Sequence, residues 1–495
     1  MRETRAGLAL MNISELARWM TCGGDARIVL DAVSGLNRYH SAPYSRDVLA
    51  FASSTANDLS ADAMAFLESE VGDAAEGLGS GPAYRAYLDT LRGRIASAYR
   101  LPEGTDIFFA PSGTDLEYVA LLAVAQRKAN GIANLLLGAD EVGSGCIHSA
   151  AGRYFANETA LVANVCPGQD VEGLPPIIMG DFPVRNQEGE AFDSATLASQ
   201  MESAIASALG NGCFPLVHVV HGSKTGLVLP HLDDIDRLQS RFGGDVAFVV
   251  DACQARITTR AIHDYLARGI IVFLTGSKFM GGPPFSGFAL LPQGLVAQAA
   301  PLAQGMATIF RRAEVPAGWA GRDLLDDAGN CGLALRLSAS LFELNRFQSL
   351  AFDRVKRVVT AFNASASRLA ETLAARKVAA APVEDADEEA GHPIEMQTLV
   401  TLDLCHDGQG AVSRMLDFDA AVAIHKAMIA DGVRLGQPVR CVKLADGRWG
   451  ATLRVGLSMP QVVMLDQLAD AALESWLDAA MDRIAASLLP RLASA

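Results

Sequence analysis

The sequence predicts an α/β protein with a mainly parallel central sheet sandwiched by helices, followed by a smaller α+β domain. Short apolar runs alternate with helical stretches between residues 103 and 292, which is typical of a sheet covered on both faces. Hydrophobic residues make up 50% of the chain and charged residues only 20%, which favours a large buried core. After residue 330 the pattern changes to long helices and then to a strand–helix–strand order.

The chain has 495 residues, too many for one simple hydrophobic core, so we expect it to be divided into domains. Residues 1–95 read as helices and loops, and we interpret them as an N-terminal helical segment that joins the small domain. Residues 96–335 hold the alternating pattern and form the predicted large domain. Residues 336–495 form the predicted small α+β domain.

Each strand of the large domain is predicted from an apolar run that ends in a polar or glycine-rich turn. In chain order these segments are TDIFFAPSGT (105–114), NLLLGADEVGSG (134–145), PLVHVVHGSKTG (215–226), DVAFVVDACQA (245–255) and GIIVFLTGSK (269–278). The first leads directly into a helical pattern, DLEYVALLAVAQRKA. Ligands bind at the carboxyl ends of the strands in such sheets. We therefore expect the polar residues of these turns to meet at one edge.

The C-terminal part is predicted from helical and strand patterns in turn. Residues 332–377 predict one or two long helices, and the acidic, proline-containing segment at 381–393 predicts a surface loop. Strands are predicted at 398–404 and 450–458, with a helix at 420–432 between them. This order of elements is the reason for the α+β assignment.

Charge and cysteine usage exclude several classes of partner. With 41 basic and 56 acidic residues the net charge is −15, which argues against nucleic acid or an anionic membrane as the main partner. The eight cysteines show neither CxxC nor His/Cys metal spacing, so we expect no metal site and a reducing, cytoplasmic setting. No stretch approaches the ~20 apolar residues of a membrane span. The N-terminus mixes polar residues into its apolar stretch, which favours an amphipathic helix over a signal peptide.

Two ionisable residues stand at the ends of consecutive predicted strands. Lys278 follows a buried strand, where desolvation can turn a lysine into a nucleophile or Schiff-base former; an isolated lysine there more often extends to solvent. Asp251 ends the preceding strand, where an aspartate is ordinarily a turn residue or helix cap. The pair favours pyridoxal 5′-phosphate (PLP) chemistry, which needs a lysine for the Schiff base and an acid for the pyridine nitrogen.

The turn PSGTD at 111–115 is a candidate phosphate site. Ser112, Gly113 and Thr114 open a helix, and small residues let backbone N–H groups approach a dianion at the positive end of the helix. A plain helix cap at Ser112 or Thr114 is the alternative. Thr275 and Ser277, which flank Lys278, could supply further hydroxyl donors.

These motifs resemble those of the fold-type I PLP-dependent transferases, specifically the class V aminotransferase and cysteine desulfurase branch. The likeness is carried by PSGTD at 111–115, VVDACQA at 249–255 and TGSKFMGGPP at 275–284. It implies Lys278 as the Schiff-base lysine, Asp251 on the pyridine nitrogen and Gln254 on the phenolic oxygen. It also implies that the phosphate is held by Ser112, Gly113, Thr114, Thr275 and Ser277.

Two further parts of the implied site depart from the family or stay open. HGSKTG at 221–226 falls where the family lines the phenolic-oxygen side, often with Asn, which makes His221 and Ser223 candidates. The ring-stacking residue is unassigned, with His148 and Val142 as the nearest candidates.

Arg454 matches the family's C-terminal arginine, which binds a substrate carboxylate. A guanidinium suits this role because its donors meet both oxygens at once. The alternative for Arg454 is an ordinary surface arginine on a strand.

The resemblance implies an amino-acid substrate that reacts through an external aldimine and a Cα carbanion, as in a class V aminotransferase, with a specialised biosynthetic role as one interpretation. The alternative is a Cβ/Cγ lyase of the cysteine desulfurase type. A glutamine at the position of Gln254 is more typical of these lyases than of the transaminases in this branch. Cys441 lies near the desulfurase cysteine, but its surroundings match neither form of that loop, SGSAC or GHHC, which favours a buried structural thiol. A PLP-binding protein without turnover is a third interpretation. The family also implies a homodimer, with AGNCG at 328–332 reaching the partner's phosphate site.

Overall fold

The structure of the protein is a computed structural model, and it describes residues 13–138, 141–143, 145–378 and 397–493. The predicted acidic loop at 381–393 and the start of the predicted N-terminal helix lie outside these residues. Within them, the N-terminal region begins with a short helix, Glu15–Trp19, whose first turn is capped by the side chain of Ser14.

The core of the large domain is one eight-stranded sheet. Its strands are β2 (Asp106–Ala110), β3 (Ile132–Leu137), β4 (Ile177–Phe182), β5 (Phe214–His221), β6 (Val228–Leu229), β7 (Ala247–Asp251), β8 (Ile271–Thr275) and β9 (Gly287–Leu291). Seven of them lie in the order β2-β9-β8-β7-β5-β3-β4, and β6 pairs with β5. The pairs among β3, β4, β5, β7 and β8 are parallel, whereas β9 runs antiparallel to both of its neighbours.

The strands form from continuous apolar runs rather than alternating ones. Every residue of β3, β5, β8 and β9 is buried, because helices cover both faces of the sheet. This arrangement confirms the predicted α/β class with a mainly parallel sheet. The antiparallel strand β9, which separates β8 from β2, was not part of the prediction.

Helices occupy much of the rest of the described chain. They are α1 (Glu15–Trp19), α2 (Ala61–Glu70), α3 (Gly81–Ala98), α4 (Leu116–Val124), α5 (Cys146–Ala150), α6 (Ser194–Gly210), α7 (Leu232–Phe242), α8 (Thr259–Ala267), α9 (Leu295–Gln298), α10 (Cys331–Gln348), α11 (Phe352–Thr372), α12 (Phe418–Ala430), α13 (Met459–Asp466) and α14 (Asp470–Ala493). The predicted long helical stretch at 332–377 is two helices, α10 and α11. The first, α10, is buried along most of its length and packs against α2, α3 and α13.

The C-terminal region contains a small antiparallel sheet. Its strands are β10 (Arg376–Val378), β11 (Leu399–Asp403) and β13 (Thr452–Gly456), in the order β10-β11-β13. A second, two-stranded sheet pairs β1 (Leu49–Phe51) with β12 (Val433–Leu435) in parallel. The N-terminal segment is thereby hydrogen-bonded to the C-terminal region. The domain boundaries stay a prediction.

The described residues contain neither a membrane-spanning helix nor a cluster of metal-binding side chains. None of the helices in this part of the chain combines the length and apolar character that a membrane crossing requires. The same residues hold no cluster of three or more His, Cys, Asp or Glu side chains arranged for a metal ion.

Candidate active site

A cavity of about 650 Å³ opens at the carboxyl ends of β7 and β8, where the first β–α turn also ends. The structure brings nine of the eleven predicted site residues to its wall: Ser112, Gly113, Thr114, Asp251, Gln254, Thr275, Ser277, Lys278 and Arg454. The position follows the rule that ligands of open α/β sheets bind at the carboxyl edge of the strands. The predicted meeting of the strand-end residues is therefore what the fold produces.

Lys278 and Asp251 come from adjacent strands. Asp251 is the last residue of β7 and is paired in register with Phe273 of β8, and Lys278 follows the end of β8. The loop that carries Lys278 is fixed by Asn57, whose Nδ2 donates to the carbonyl oxygens of Ser277 (3.1 Å) and Lys278 (2.6 Å). The Asp251 carboxylate accepts a hydrogen bond of 2.8 Å from the backbone N–H two residues further on.

The PSGTD turn presents unused backbone donors to the cavity. The N–H groups of Gly113 and Thr114 donate to no acceptor among the described residues. A Cβ atom on Gly113 would lie 2.9 Å from Thr275 Cγ2 and 3.2 Å from Cys253 Sγ, so a side chain there would crowd the wall. These donors stand beside the turn into α4, where an anion is favoured by the helix N-terminus.

Hydroxyl groups surround the same turn. Ser112 Oγ donates to Asp115 Oδ2 at 2.6 Å, and Ser277 Oγ donates to Thr275 Oγ1 at 3.2 Å. The Thr275 hydroxyl in turn donates to the Cys253 carbonyl at 2.7 Å. Hydroxyl rotors of this kind can turn to a bound anion, so the set is suited to holding a phosphate.

Asp115 is the last residue of this turn, and the sequence predicted no role for it in the site. Its carboxyl group is buried, and burial is the main reason why its pKa is raised to about 6. Arg27 acts in the opposite direction, and its guanidinium also lines the cavity, 4.8 Å from the ring centroid of Phe285. The aspartate was within the quoted motif, whereas no sequence signal connected Arg27 to it.

Arg454 lies in β13 and is 3% exposed. Its Nε donates to the Gln437 carbonyl at 2.8 Å, and its Nη1 donates at 3.3 Å to the carbonyls of Ser54 and Lys224. Its Nη2 donates to Thr55 Oγ1 at 3.2 Å, which leaves one N–H of Nη2 for the cavity. Burial lowers the pKa of Arg454 to about 10, so the group stays charged at neutral pH.

His221 and Ser223 are not brought to the cavity. The His221 ring lies in the core, with its Nδ1 3.1 Å from the Tyr265 hydroxyl. The Ser223 hydroxyl donates to Glu141 Oε2 at 2.7 Å and accepts from the Leu227 N–H at 3.1 Å. Both are held by the reversal of the chain between β5 and β6. The structure places neither of them on the cavity wall.

Lys224, the residue directly after Ser223, does line the cavity. Burial lowers its pKa to about 8, and the nearby charges of Arg454 and Lys278 act in the same direction. No sequence motif singled out this residue as part of the site. The site therefore has a second lysine, which any test of Lys278 must distinguish.

Glu117 and His218 form a buried pair in the core beneath Asp251. The His218 Nδ1 lies 3.4 Å from Glu117 Oε2, and both side chains are 2% exposed. Burial raises the pKa of Glu117, with the Asp251 charge adding to this, and burial lowers the pKa of His218 to about 3. Burial disfavours the charged form of each group, so the short separation alone does not make this pair an ion pair.

The remaining sequence candidates lie away from the cavity wall. Cys441 is buried, and burial raises the pKa of its thiol to about 12. His148 is exposed and Val142 is buried, and neither lines the cavity. Asn330 of the AGNCG segment caps α10 and donates to the Gly23 carbonyl at 3.3 Å.

The fold of this chain is similar to the folds of several solved structures. A C-DES mutant with glycine covalently linked to its PLP cofactor aligns with a TM-score of 0.51 and 17% identity, covering 88% of this chain and 97% of that one. The complex of the cystine C–S lyase C-DES with its product cysteine persulfide gives a TM-score of 0.50 and 16% identity, covering 88% and 98%. A NifS-like protein gives 0.50 and 11%, also covering 88% and 98%.

Each of these likenesses covers most of both chains. The chain therefore has the fold of the fold-type I PLP-dependent enzymes, as the sequence motifs predicted. No protein-family model matches the chain, and no curated protein sequence matches it.

Proposed function

We propose that this protein is a PLP-dependent enzyme that acts on an α-amino acid. The observation that carries the proposal is one cavity whose wall includes Lys278 and Asp251, from adjacent strands, together with Gly113 and Thr114, whose N–H groups donate to no acceptor among the described residues. A structural lysine or aspartate does not need this combination. PLP does, because it has an aldehyde, a pyridine nitrogen and a phosphate to be held at once.

The residues present fit the cofactor at each of these three groups. Lys278 would hold it covalently and Asp251 would keep the ring nitrogen protonated, with Gln254 beside the phenolic oxygen. The N–H groups of Gly113 and Thr114 would hold the phosphate together with the nearby hydroxyls. When bound, PLP supplies an electron sink that stabilises negative charge at the substrate Cα.

The protein's own residues then determine how the substrate reacts. Arg454 orients the amino acid by its carboxylate, using the N–H that its backbone contacts leave unused. The Lys278 amine would serve as the base that takes the proton from the substrate Cα and returns it elsewhere. The Asp251 carboxylate would keep the ring nitrogen of bound PLP protonated, because it stabilises the positive charge there.

Aminotransferase-like chemistry of the class V type is our first assignment of the reaction, with a specialised biosynthetic role. A Cβ/Cγ lyase is the second candidate, favoured by Gln254 and by the fold shared with a cystine C–S lyase. Sulfur transfer to Cys441, as in a desulfurase that forms a persulfide on its own cysteine, is disfavoured because this thiol is buried away from the cavity.

One screen tests the function and separates these reactions. Purified protein loaded with PLP should absorb visible light, and amino acids should be added singly while the spectrum and the products are followed by mass analysis. A keto acid product together with the spectrum of pyridoxamine phosphate, the aminated cofactor, indicates transamination. Loss of a side-chain fragment from the amino acid indicates a lyase. A spectrum that no amino acid changes would support a PLP-binding protein without turnover.

Arg454→Ala should raise the KM for the amino acid strongly and leave PLP bound. A lost charge-assisted hydrogen bond is worth roughly 1.5–3 kcal/mol, which corresponds to about one to two decades in affinity. Arg454→Lys keeps the positive charge but replaces the guanidinium with a single ammonium group, so it should recover part of the lost affinity. Steady-state kinetics and the visible spectrum measure both effects.

Cys441→Ala is the matched control at a nearby buried position. We expect near-normal turnover, because the thiol of Cys441 is protonated and does not reach the cavity. The reverse pattern, an inactive Cys441 variant and a healthy Arg454 variant, would assign the protein to the persulfide-forming desulfurases.

We also propose that the protein works as a homodimer in the cytoplasm. The dimer rests on the resemblance, and the location is supported by all eight cysteines being free thiols. Light scattering of the PLP-loaded protein should give about twice the 52.2 kDa chain mass. A fully active monomer at working concentration would contradict the dimer.

A further inference from the structure

Arg256, two residues beyond Gln254, is a buried arginine that the sequence argument did not include. It is 0% exposed, and burial lowers its pKa to about 9, with the charge of Arg454 acting in the same direction. The guanidinium is still charged at neutral pH. Its hydrogen bonds within the described part of the chain all go to neutral acceptors. A buried charge of this kind is costly, so its contacts call for a reason.

The contacts of Arg256 join three parts of the chain. Nε donates to Thr398 Oγ1 at 2.9 Å, beside the small sheet. Nη2 donates to Ser53 Oγ at 2.8 Å, in the N-terminal segment, and to the Leu457 carbonyl at 3.2 Å, just after β13. Nη1 donates to Gln254 Oε1 at 2.8 Å. The arginine is therefore fixed by its surroundings and can in turn fix the glutamine.

The contact with Arg256 decides which way the Gln254 amide points. A guanidinium can only donate, so the amide oxygen must face it. The amide nitrogen donates one hydrogen bond to the Ser54 carbonyl at 3.2 Å, which leaves its second N–H for the cavity that Gln254 lines. With the amide turned over, two sets of donors would face each other across the Arg256 contact.

We propose that Arg256 is a positioning residue that holds Gln254 as a hydrogen-bond donor toward the phenolic oxygen of bound PLP. This inference rests on the proposed function. A donated hydrogen bond favours an ionised oxygen and lowers the pH at which the cofactor's proton is lost. A glutamine free to turn over would present its own oxygen to that site for part of the time.

The test is the pH midpoint of the visible absorbance of the PLP-loaded protein. Arg256→Met, which cannot donate, should raise this midpoint by roughly one pH unit. The other charged groups that line the cavity, Asp251, Lys278, Lys224 and Arg454, are unchanged in the variant. Where Arg256→Met does not fold, Arg256→Leu serves, because its side chain also cannot donate a hydrogen bond, and the same upward shift is expected.

A double variant shows whether Arg256 acts through Gln254. Gln254→Leu alone should raise the midpoint, and adding Arg256→Met should then change it little. An equal shift from Arg256→Met in both backgrounds would overturn the positioning role. An unchanged midpoint in Arg256→Met with a normal wild-type titration would also overturn it and would leave the proposed function standing. Wild-type protein that takes up no PLP would instead refute the proposed function itself.

Arg336 provides a matched control. It is another buried arginine, 1% exposed, and it donates to the backbone carbonyls of Phe285, Met20, Cys22 and Gly23 rather than to Gln254. Arg336→Met should lower thermal stability and leave the midpoint where it is in the wild type. An equal shift of the midpoint in Arg336→Met would show that the effect comes from general loosening, and the inference would fail.

Discussion

Lys278→Ala should abolish turnover and remove the covalent attachment of PLP. In the proposed function one amine, that of Lys278, holds the cofactor and moves the proton at the substrate Cα, and the variant loses it. General acid–base catalysis alone is worth about 10²–10⁴-fold, so we expect a loss of at least that size. Borohydride reduction of the wild-type protein, followed by peptide mass analysis, should find the cofactor on the peptide that carries Lys278.

The decisive control for this prediction is Lys224. Its lowered pKa, about 8, and its place on the cavity wall make it the rival amine. In Lys224→Ala the borohydride label should stay on Lys278. A label on Lys224 in the wild-type protein, or its persistence in Lys278→Ala, would overturn the assignment and move the covalent site to the turn between β5 and β6.

Asp251→Asn should keep PLP bound and lose most of the activity. An amide cannot hold the ring nitrogen in its charged form, so the electron sink is weakened although the phosphate contacts are intact. We expect a fall in kcat of roughly 10²-fold or more. The bound cofactor is followed by its visible absorbance and the rate by product formation. Activity within a few-fold of the wild type would show that Asp251 is structural.

Glu117→Gln is the matched control for the aspartate. Glu117 lies near Asp251, but burial keeps it protonated and it does not line the cavity. An amide has nearly the same size and the same zero charge, so this variant should keep activity within a few-fold. Equal losses in Glu117→Gln and Asp251→Asn would mean that the buried carboxyl group takes part, and Asp251 could not be credited with the effect.

Much of the fold and of the candidate site could be predicted because strand ends are visible in the sequence. The apolar runs before PSGTD, DACQA and TGSK are long enough for buried strands, and each is followed directly by small or polar residues. In a parallel sheet the carboxyl ends of such strands must share an edge. Eight predicted residues consequently line one cavity, and Arg454 lines it from β13 of the small sheet.

The turn after β5 shows where local sequence was not enough. The pattern HGSKTG favoured His221 and Ser223, but the chain reverses there to pair β6 with β5. The reversal directs Ser223 to Glu141 and leaves Lys224 on the cavity wall. Spacing along the chain cannot predict which side of a tight turn each side chain takes, because this depends on the partners that surround it.

The sequence by itself determined the fold class, the lysine–aspartate pair and the PSGTD turn at 111–115, since each follows from residues close together in the chain. Only the tertiary structure decided what supports them. Asn57 fixes the loop of Lys278, and Arg256 fixes Gln254 through contacts to Ser53 and Leu457. The physical reason is that a buried polar group must find its hydrogen-bond partner wherever the folded chain provides one, and these partners lie hundreds of residues away along the chain.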